Sequence, residues 1–149
     1  MELLVRKLQQ DHPELTFNAS SALCWSPGSN EIRYANNSEE AAFAGLLHEV
    51  GHARLGHKGY KRDFELLQKE VAAWKEALDL SKQYGIVISD DHVQDCLDTY
   101  RDWVYKRSLC PACELAGLQE AETRFRCINC AHSWRVTASR FCRPYRRSK

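Results

Sequence analysis

His48-Glu49-Val50-Gly51-His52 is the stretch of this 149-residue chain with the clearest chemical content. On a helix its two histidines stand one turn apart on one face, the spacing at which two imidazoles reach a single zinc ion. Glu49 lies roughly 100° round the helix from His48, so it flanks a metal without ligating it and can take a proton from a bound water. The expected roles are His48 and His52 as ligands and Glu49 as catalytic base. A second ligand set follows near the C-terminal end, where Cys110-Pro-Ala-Cys113 and Cys127-Ile-Asn-Cys130 form a C-x2-C-x13-C-x2-C pattern. Four thiolates close a tetrahedral site with no open position, which makes it a structural zinc site. One catalytic and one structural Zn2+ are therefore expected.

A catalytic zinc needs a third protein ligand. The arrangement HExxHxxGxxH would require Gly at 55 and His at 58, but the chain has Leu55 and Lys58, which excludes it. His57 falls one position short and is expected to stand behind the ligands rather than among them. The acids of the following segment can be sorted by helical angle. Phe64, Leu67, Val71, Trp74 and Leu78 form an apolar stripe. Glu65, Glu76 and Asp79 point about 100° or more away from its centre, whereas Glu70 lies roughly 80° off, on the side of Leu66, Ala73 and Ala77. A carboxylate tucked there needs a partner. Glu70 is the expected third ligand, and Asp63, on the same border, is the second candidate for a place near the metal.

These residues need elements to hold them. Phe43, Leu46, Leu47 and Val50 recur at helical spacing, and a helix is predicted over 38–55, with Asn37 as N-cap and Gly56 as the stop. Ala41 and Gly45 are expected to leave an open floor beside the imidazoles. Gly51 in mid-helix suggests that something packs closely against the backbone there. Residues 2–10 predict a short amphipathic helix. Leu15–Asn18, Leu23–Trp25 and Ile32–Tyr34 predict a small antiparallel sheet, with turn chemistry at 26–30. The strand near Arg33 is expected to be an edge that an extended substrate can join. Helices are predicted over 61–84 and from Ser89 to about Arg107, the latter with Val93, Cys96, Leu97, Tyr100 and Val104 inward and with Lys106 and Arg107 as charges suited to its C-terminus. Cys24, Cys96 and Cys142 have no local partners and are expected to be plain thiols.

The chain carries a formal net charge of +1, yet residues 1–107 hold 13 Lys and Arg against 17 Asp and Glu, and residues 108–149 hold 8 against 3. This shift, together with the first cysteine pair, predicts two domains, 1–107 and 108–149. Phe125, Trp134 and Val136 are the apolar groups that the second can bury. Its Arg-rich end, with Arg140, Arg143, Arg146 and Arg147, suits contact with nucleic acid or an acidic partner. There is no membrane-length apolar run and no signal-peptide core near the amino terminus, and the cysteines pair as metal knuckles. A cytoplasmic protein with no membrane partner is expected.

With Leu55-Gly56-His57 after the first motif and Glu70-Val71-Ala72-Ala73-Trp74 on the next helix, residues 15–84 resemble the ImmA/IrrE family of metallopeptidases. Ala72 and Glu76 depart from that family's usual helix pattern. The resemblance implies a gluzincin-like α+β catalytic unit, a small antiparallel sheet on a zincin helix core, here followed by a zinc ribbon. It also implies a glutamate third ligand, matched by Glu70, and selective cleavage of a regulatory protein. A catalytic zinc domain followed by a ribbon is similar as well to the SprT-like proteases, which act on proteins bound to DNA. Their third ligand is a downstream histidine, for which only His92 and His132 remain. The non-enzymatic alternative is a zinc-stiffened module that binds nucleic acid or a protein and cleaves nothing.

Overall fold

The computed structural model describes residues 1–138 and the backbone of Arg147 and Ser148. The elements run α1 (Glu2–Asp11), β1 (Thr16–Ala19), β2 (Cys24–Ser26), β3 (Glu31–Tyr34), α2 (Glu40–Arg54), α3 (Asp63–Tyr84), α4 (Asp90–Ser108), β4 (Gly117–Ala121), β5 (Arg124–Cys127), β6 (Ser133–Arg135) and β7 (Arg147–Ser148). The fold is α+β, as expected from the alternation of helical and β-prone patterns. Two compact units are present, one comprising residues 1–59 with 68–94, the other residues 60–67 with those from 95 on. The unit that holds the four cysteines thus begins upstream of Ser108 and takes in the second half of α4. Among the described residues, no helix is long and apolar enough to cross a membrane.

In the first unit the sheet order is β1-β3-β2. The β2–β3 hairpin is antiparallel, with Trp25 opposite Ile32, whereas β1 pairs with β3 in parallel, Phe17 opposite Ile32. The sheet is therefore mixed, and β3 is its centre. That corrects the expectation for Arg33, whose strand is flanked on both sides and leaves no edge for a substrate. The reason lies in burial. Ile32 and Tyr34 are both buried, so β3 takes the middle, while the more exposed β1 and β2 serve as edges. Helix α2 packs on β2 and β3, and α1 packs on β1 through Leu4 and Leu8.

Helix α2 buries Leu46, Leu47 and Val50 as its spacing predicts, and Gly56 ends it with a positive φ of 62°. Its start differs from expectation. Glu39 is the N-cap, with no side-chain cap bond, and Asn37 instead accepts the Glu39 N–H at 3.0 Å in a turn before the helix. Gly45 is not open floor either, because a Cβ there would lie 2.6 Å from Leu23 Cδ1. The close approach expected at Gly51 is present, since a Cβ there would lie 2.6 Å from the Ala73 carbonyl oxygen of α3.

That approach explains the largest difference from the sequence pattern. Helix α3 buries Leu66, Glu70, Ala73, Trp74, Ala77, Leu80 and Ser81, while Phe64 and Val71 of the predicted stripe are 59% and 49% exposed. The buried face is rotated toward the small residues, because Ala73 and Ala77 let the helix approach more closely than Phe64 or Val71 would. Glu70 consequently sits within the buried face instead of at its border.

In the second unit a sheet of order β4-β5-β6-β7 covers a small core of Cys110, Phe125, Cys127, Trp134 and Val136. Arg107, expected as a charge suited to the C-terminus of α4, is only 1% exposed. Its guanidinium lies 4.1 Å from the Trp103 ring centroid and its Nε 3.4 Å from Asp63 Oδ2. Gln119 receives the Asp63 N–H at 2.8 Å and donates to Asp63 Oδ1 at 3.1 Å, so one β4 side chain caps α3 and holds its first carboxylate. Burial pushes the Asp63 carboxyl above its usual range, with Arg107 and Gln119 pulling the other way.

Gly51→Ala should lower stability by about 1–3 kcal/mol, because the added methyl meets a backbone carbonyl that cannot rotate aside. Urea unfolding decides this. A gain of up to about 1 kcal/mol, the helix-propensity value alone, would show that the contact is loose.

Candidate metal centre

His48 and His52 face the same side of α2, and Glu70 reaches them from α3. The two Nε2 atoms are 3.1 Å apart, and Glu70 Oε2 lies 3.2 Å from His48 Nε2 and 3.6 Å from His52 Nε2. Bonds of about 2.0–2.1 Å to a tetrahedral ion place ligand atoms about 3.3 Å apart, and the three distances bracket that value. These are three lone-pair donors converging on one point, and Glu70 Oε2 is buried with no hydrogen-bond donor in good geometry among the described residues. Burial alone would raise the Glu70 pKa. The two imidazoles outweigh it and hold the carboxyl down at about 2. The group is thus an ionised carboxylate in a buried place, which requires a positive partner, and the donor set fits a metal ion.

Glu49 is the neighbour whose role differs. The Trp25 backbone N–H donates to Glu49 Oε2 at 2.7 Å, which leaves Oε1 for other work. Burial pushes the Glu49 carboxyl above its usual range, opposed by His48, His52 and the Trp25 N–H. Such a carboxylate is a better proton acceptor than an exposed one. His57 stands behind the ligands, its Nδ1 at 2.9 Å from His52 Nδ1. Burial lowers its pKa, with His52 and Lys69 adding to the effect. The loop carrying it is pinned by the Lys69 ammonium, which donates to the Lys58 and Gly59 carbonyls at 2.9 and 2.8 Å.

Asp63 does not join this group. It lies in the same unit as Arg107 and Gln119, with Gln119 donating to Oδ1 at 3.1 Å and Arg107 Nε 3.4 Å from Oδ2, so its carboxylate is occupied by a cation and an amide. His92 packs edge-on to Trp74 with ring centroids 5.7 Å apart, and His132 stacks on Trp134 at 6.5 Å. Neither belongs to the cluster of His48, His52 and Glu70. Trp25 is the site residue that sequence reasoning placed only in a strand. Its one signal was its place in a β-prone run at the start of the turn-forming stretch 26–30.

The four ribbon cysteines form a second group, with Sγ–Sγ distances of 3.6 Å for Cys110–Cys130 and 3.4 Å for Cys113–Cys127. The two halves repeat one turn. Glu114 and Ala131 N–H donate back to the carbonyls of Cys110 and Cys127, and the N–H groups of Cys110 and Cys127 donate to the carbonyls of Leu115 and His132. N–H groups of Cys130 and Asn129 also point at Cys127 Sγ and hold its thiol down at about 6. These donors favour the Cys127 thiolate, whereas, against the His132 N–H, desolvation and the neighbouring sulfurs push the Cys130 thiol up to about 12, and the four clustered cysteines could bind zinc in a closed site. Of the remaining thiols, Cys24 is exposed and Cys96 half-buried. Cys142 and the arginines Arg140, Arg143 and Arg146 lie outside the described residues, as does the Arg147 side chain.

Comparison of the chain with protein-family models, with curated proteins and with solved structures gave no match.

Each knuckle ends on a residue with φ of 60°, Glu114 and Ala131, where glycine is the unstrained choice. Glu114→Gly and Ala131→Gly should each stabilise the metal-loaded ribbon by up to about 1 kcal/mol. Thermal unfolding at saturating metal measures it, and a drop in midpoint for both would mean the turns are held by those side chains instead.

Proposed function

We propose that the chain is a zinc-dependent endopeptidase of the ImmA/IrrE type, with His48, His52 and Glu70 as ligands and Glu49 as general base. The observation that carries this reading is the convergence of two Nε2 atoms and one buried carboxylate oxygen at 3.1–3.6 Å, one residue away from a second carboxylate that ligates nothing. Zinc bound there would act as a Lewis acid toward water and a peptide carbonyl. The remaining work belongs to protein groups. Glu49, with Oε2 occupied by the Trp25 N–H, takes the proton of the attacking water on Oε1 and passes it to the leaving amine. Trp74 lies stacked on His48, ring centroids 4.3 Å apart, and holds that imidazole in place. The SprT-like reading is less favoured, because Glu70 already stands where a third ligand is needed and His92 packs on Trp74. A second zinc in the four-cysteine site suits a reducing, cytoplasmic setting and would stiffen the ribbon.

For the ribbon we favour nucleic acid over an acidic protein. Arg124 and Arg126 of β5 and Arg135 of β6 are exposed, and Arg124 lies directly opposite Arg135. Like charges so placed repel; Glu120 already pairs with Arg124 at 3.2 Å, and a phosphate backbone would supply further anions along the arginine face.

Zinc-loaded protein incubated with a degenerate peptide library should create new amino termini, read by mass spectrometry. Glu49→Gln should keep its zinc and lose turnover by about a thousandfold. Glu70→Gln should lose zinc from this site by more than the roughly 10- to 100-fold typical of an outer hydrogen-bond partner. No new termini above the Glu49→Gln background would favour the binding module. For the ribbon, single-stranded oligonucleotide binding should weaken with salt, and Arg126→Gln should reduce the logarithmic salt slope by about 1. Binding insensitive to both salt and Arg126 would sink the phosphate assignment.

A further inference from the structure

Outer partners decide how firmly a ligand imidazole is aimed, and here the two histidines are treated differently. His48 Nδ1 is buried without a hydrogen-bond partner among the described residues, and its ring is held by contacts with the Trp74 face and the His52 edge. His52 Nδ1, by contrast, meets His57 Nδ1 at 2.9 Å. Two facing ring nitrogens at that distance are bonded only if one carries the proton and the other a lone pair. With His52 Nε2 turned to the ligand cluster, the His52 proton sits on Nδ1, so His57 Nδ1 accepts and His57 carries its own proton on Nε2.

His57 reaches that position through the end of α2. Gly56, with φ of 62°, reverses the chain, and the His57 N–H donates to the His52 carbonyl at 3.0 Å, so the two rings come to lie 5.0 Å apart. The reversed segment is held from outside by β2, because the Trp25 indole N–H donates to the His57 carbonyl at 2.9 Å. Trp25 is half-buried and 32 residues away in sequence, so this bond ties the sheet to the far end of the motif helix.

We propose that Trp25 and His57 are positioning residues that form a relay, Trp25 indole to His57 carbonyl and His57 imidazole to His52 imidazole, which fixes the tautomer and aim of one metal-binding histidine. The inference rests on the reading of His48, His52 and Glu70 as a zinc site. It differs from a packing role for His57 in requiring a lone pair at one place, the Nδ1 position. Asparagine carries its Oδ1 there, whereas alanine carries nothing.

The test is zinc affinity of the full-length chain, measured by competition with a chromophoric chelator, with His48→Ala identifying the part of the zinc that belongs to this site. His57→Ala should weaken that part about 10- to 100-fold, and His57→Asn should recover most of the loss. Trp25→Phe, which keeps the apolar body and the backbone N–H to Glu49, should weaken it by a smaller factor. Circular dichroism and an undiminished four-cysteine zinc content show whether each variant is folded. Should His57→Ala fail to fold, Trp25→Phe and His57→Asn decide the matter. Wild-type protein without His48-dependent zinc would overturn the zinc reading and the relay together. His48-dependent zinc that is equally tight in His57→Ala, or an asparagine variant no better than alanine, would overturn the relay alone.

Discussion

The candidate metal centre depends on how closely α3 can lie against α2. Gly51 presents bare backbone to the Ala73 carbonyl, and any Cβ there would sit at 2.6 Å from it. Because the approach is made through Gly51, Ala73 and Ala77, the buried face of α3 is its small-residue face, and Glu70 is one turn from Ala73 on that face. A bulkier residue at either point would push the carboxylate away from imidazoles that it now meets at 3.2 and 3.6 Å. The Arg54–Glu76 ion pair at 2.9 Å, further along the two helices, adds an exposed contact of the kind that contributes little to stability.

Two buried carboxylates of α3 show how the partner of a buried charge selects its role. Asp63 and Glu70 are both 5% exposed and both lie on α3. Asp63 has its compensation within the protein, in the Arg107 guanidinium and the Gln119 amide N–H, so its burial is structural. Glu70 faces the Nε2 atoms of His48 and His52, which can hold it by carrying a proton or by joining it on a metal ion, so its compensation is a proton or a metal ion. A sequence pattern places the two acids on one border. The partner decides.

The ribbon unit is built with less. Among the described residues the ribbon holds a buried cluster of five, two of them cysteines, and so small a cluster gains from a metal as a staple. Arg107 and Trp103 extend it. The Trp134 indole N–H donates to the Arg107 carbonyl at 3.1 Å, and the Arg107 guanidinium lies on Trp103 while its charge goes to Asp63. A buried pair of this sort costs nearly as much in lost hydration as it returns, so its value lies in fixing one arrangement, which an apolar contact of similar area would not do.

Much of this was readable from residue types and spacing. Helix α2, its glycine stop, the close approach at Gly51, the α+β class and the two ligand groups follow from local rules, because helical period, capping chemistry and CxxC turns act over a few residues. Pattern alone chose Glu70 over Asp63 but misjudged several other choices between alternatives of similar local merit. The stripe of Phe64 and Val71 is more apolar than the face actually buried, but interhelical distance outweighed side-chain size. Asp63 and Glu70 lay on one border, and Arg107, expected as a charge suited to a helix C-terminus, turned inward to separate their fates. The central place of β3 and the link from Trp25 to His57 also depend on contacts between segments far apart in sequence. Local chemistry determined which residues could hold a metal in this chain, and only tertiary packing decided which carboxylate meets the two histidines, because burial and charge compensation are properties of the neighbours that folding supplies.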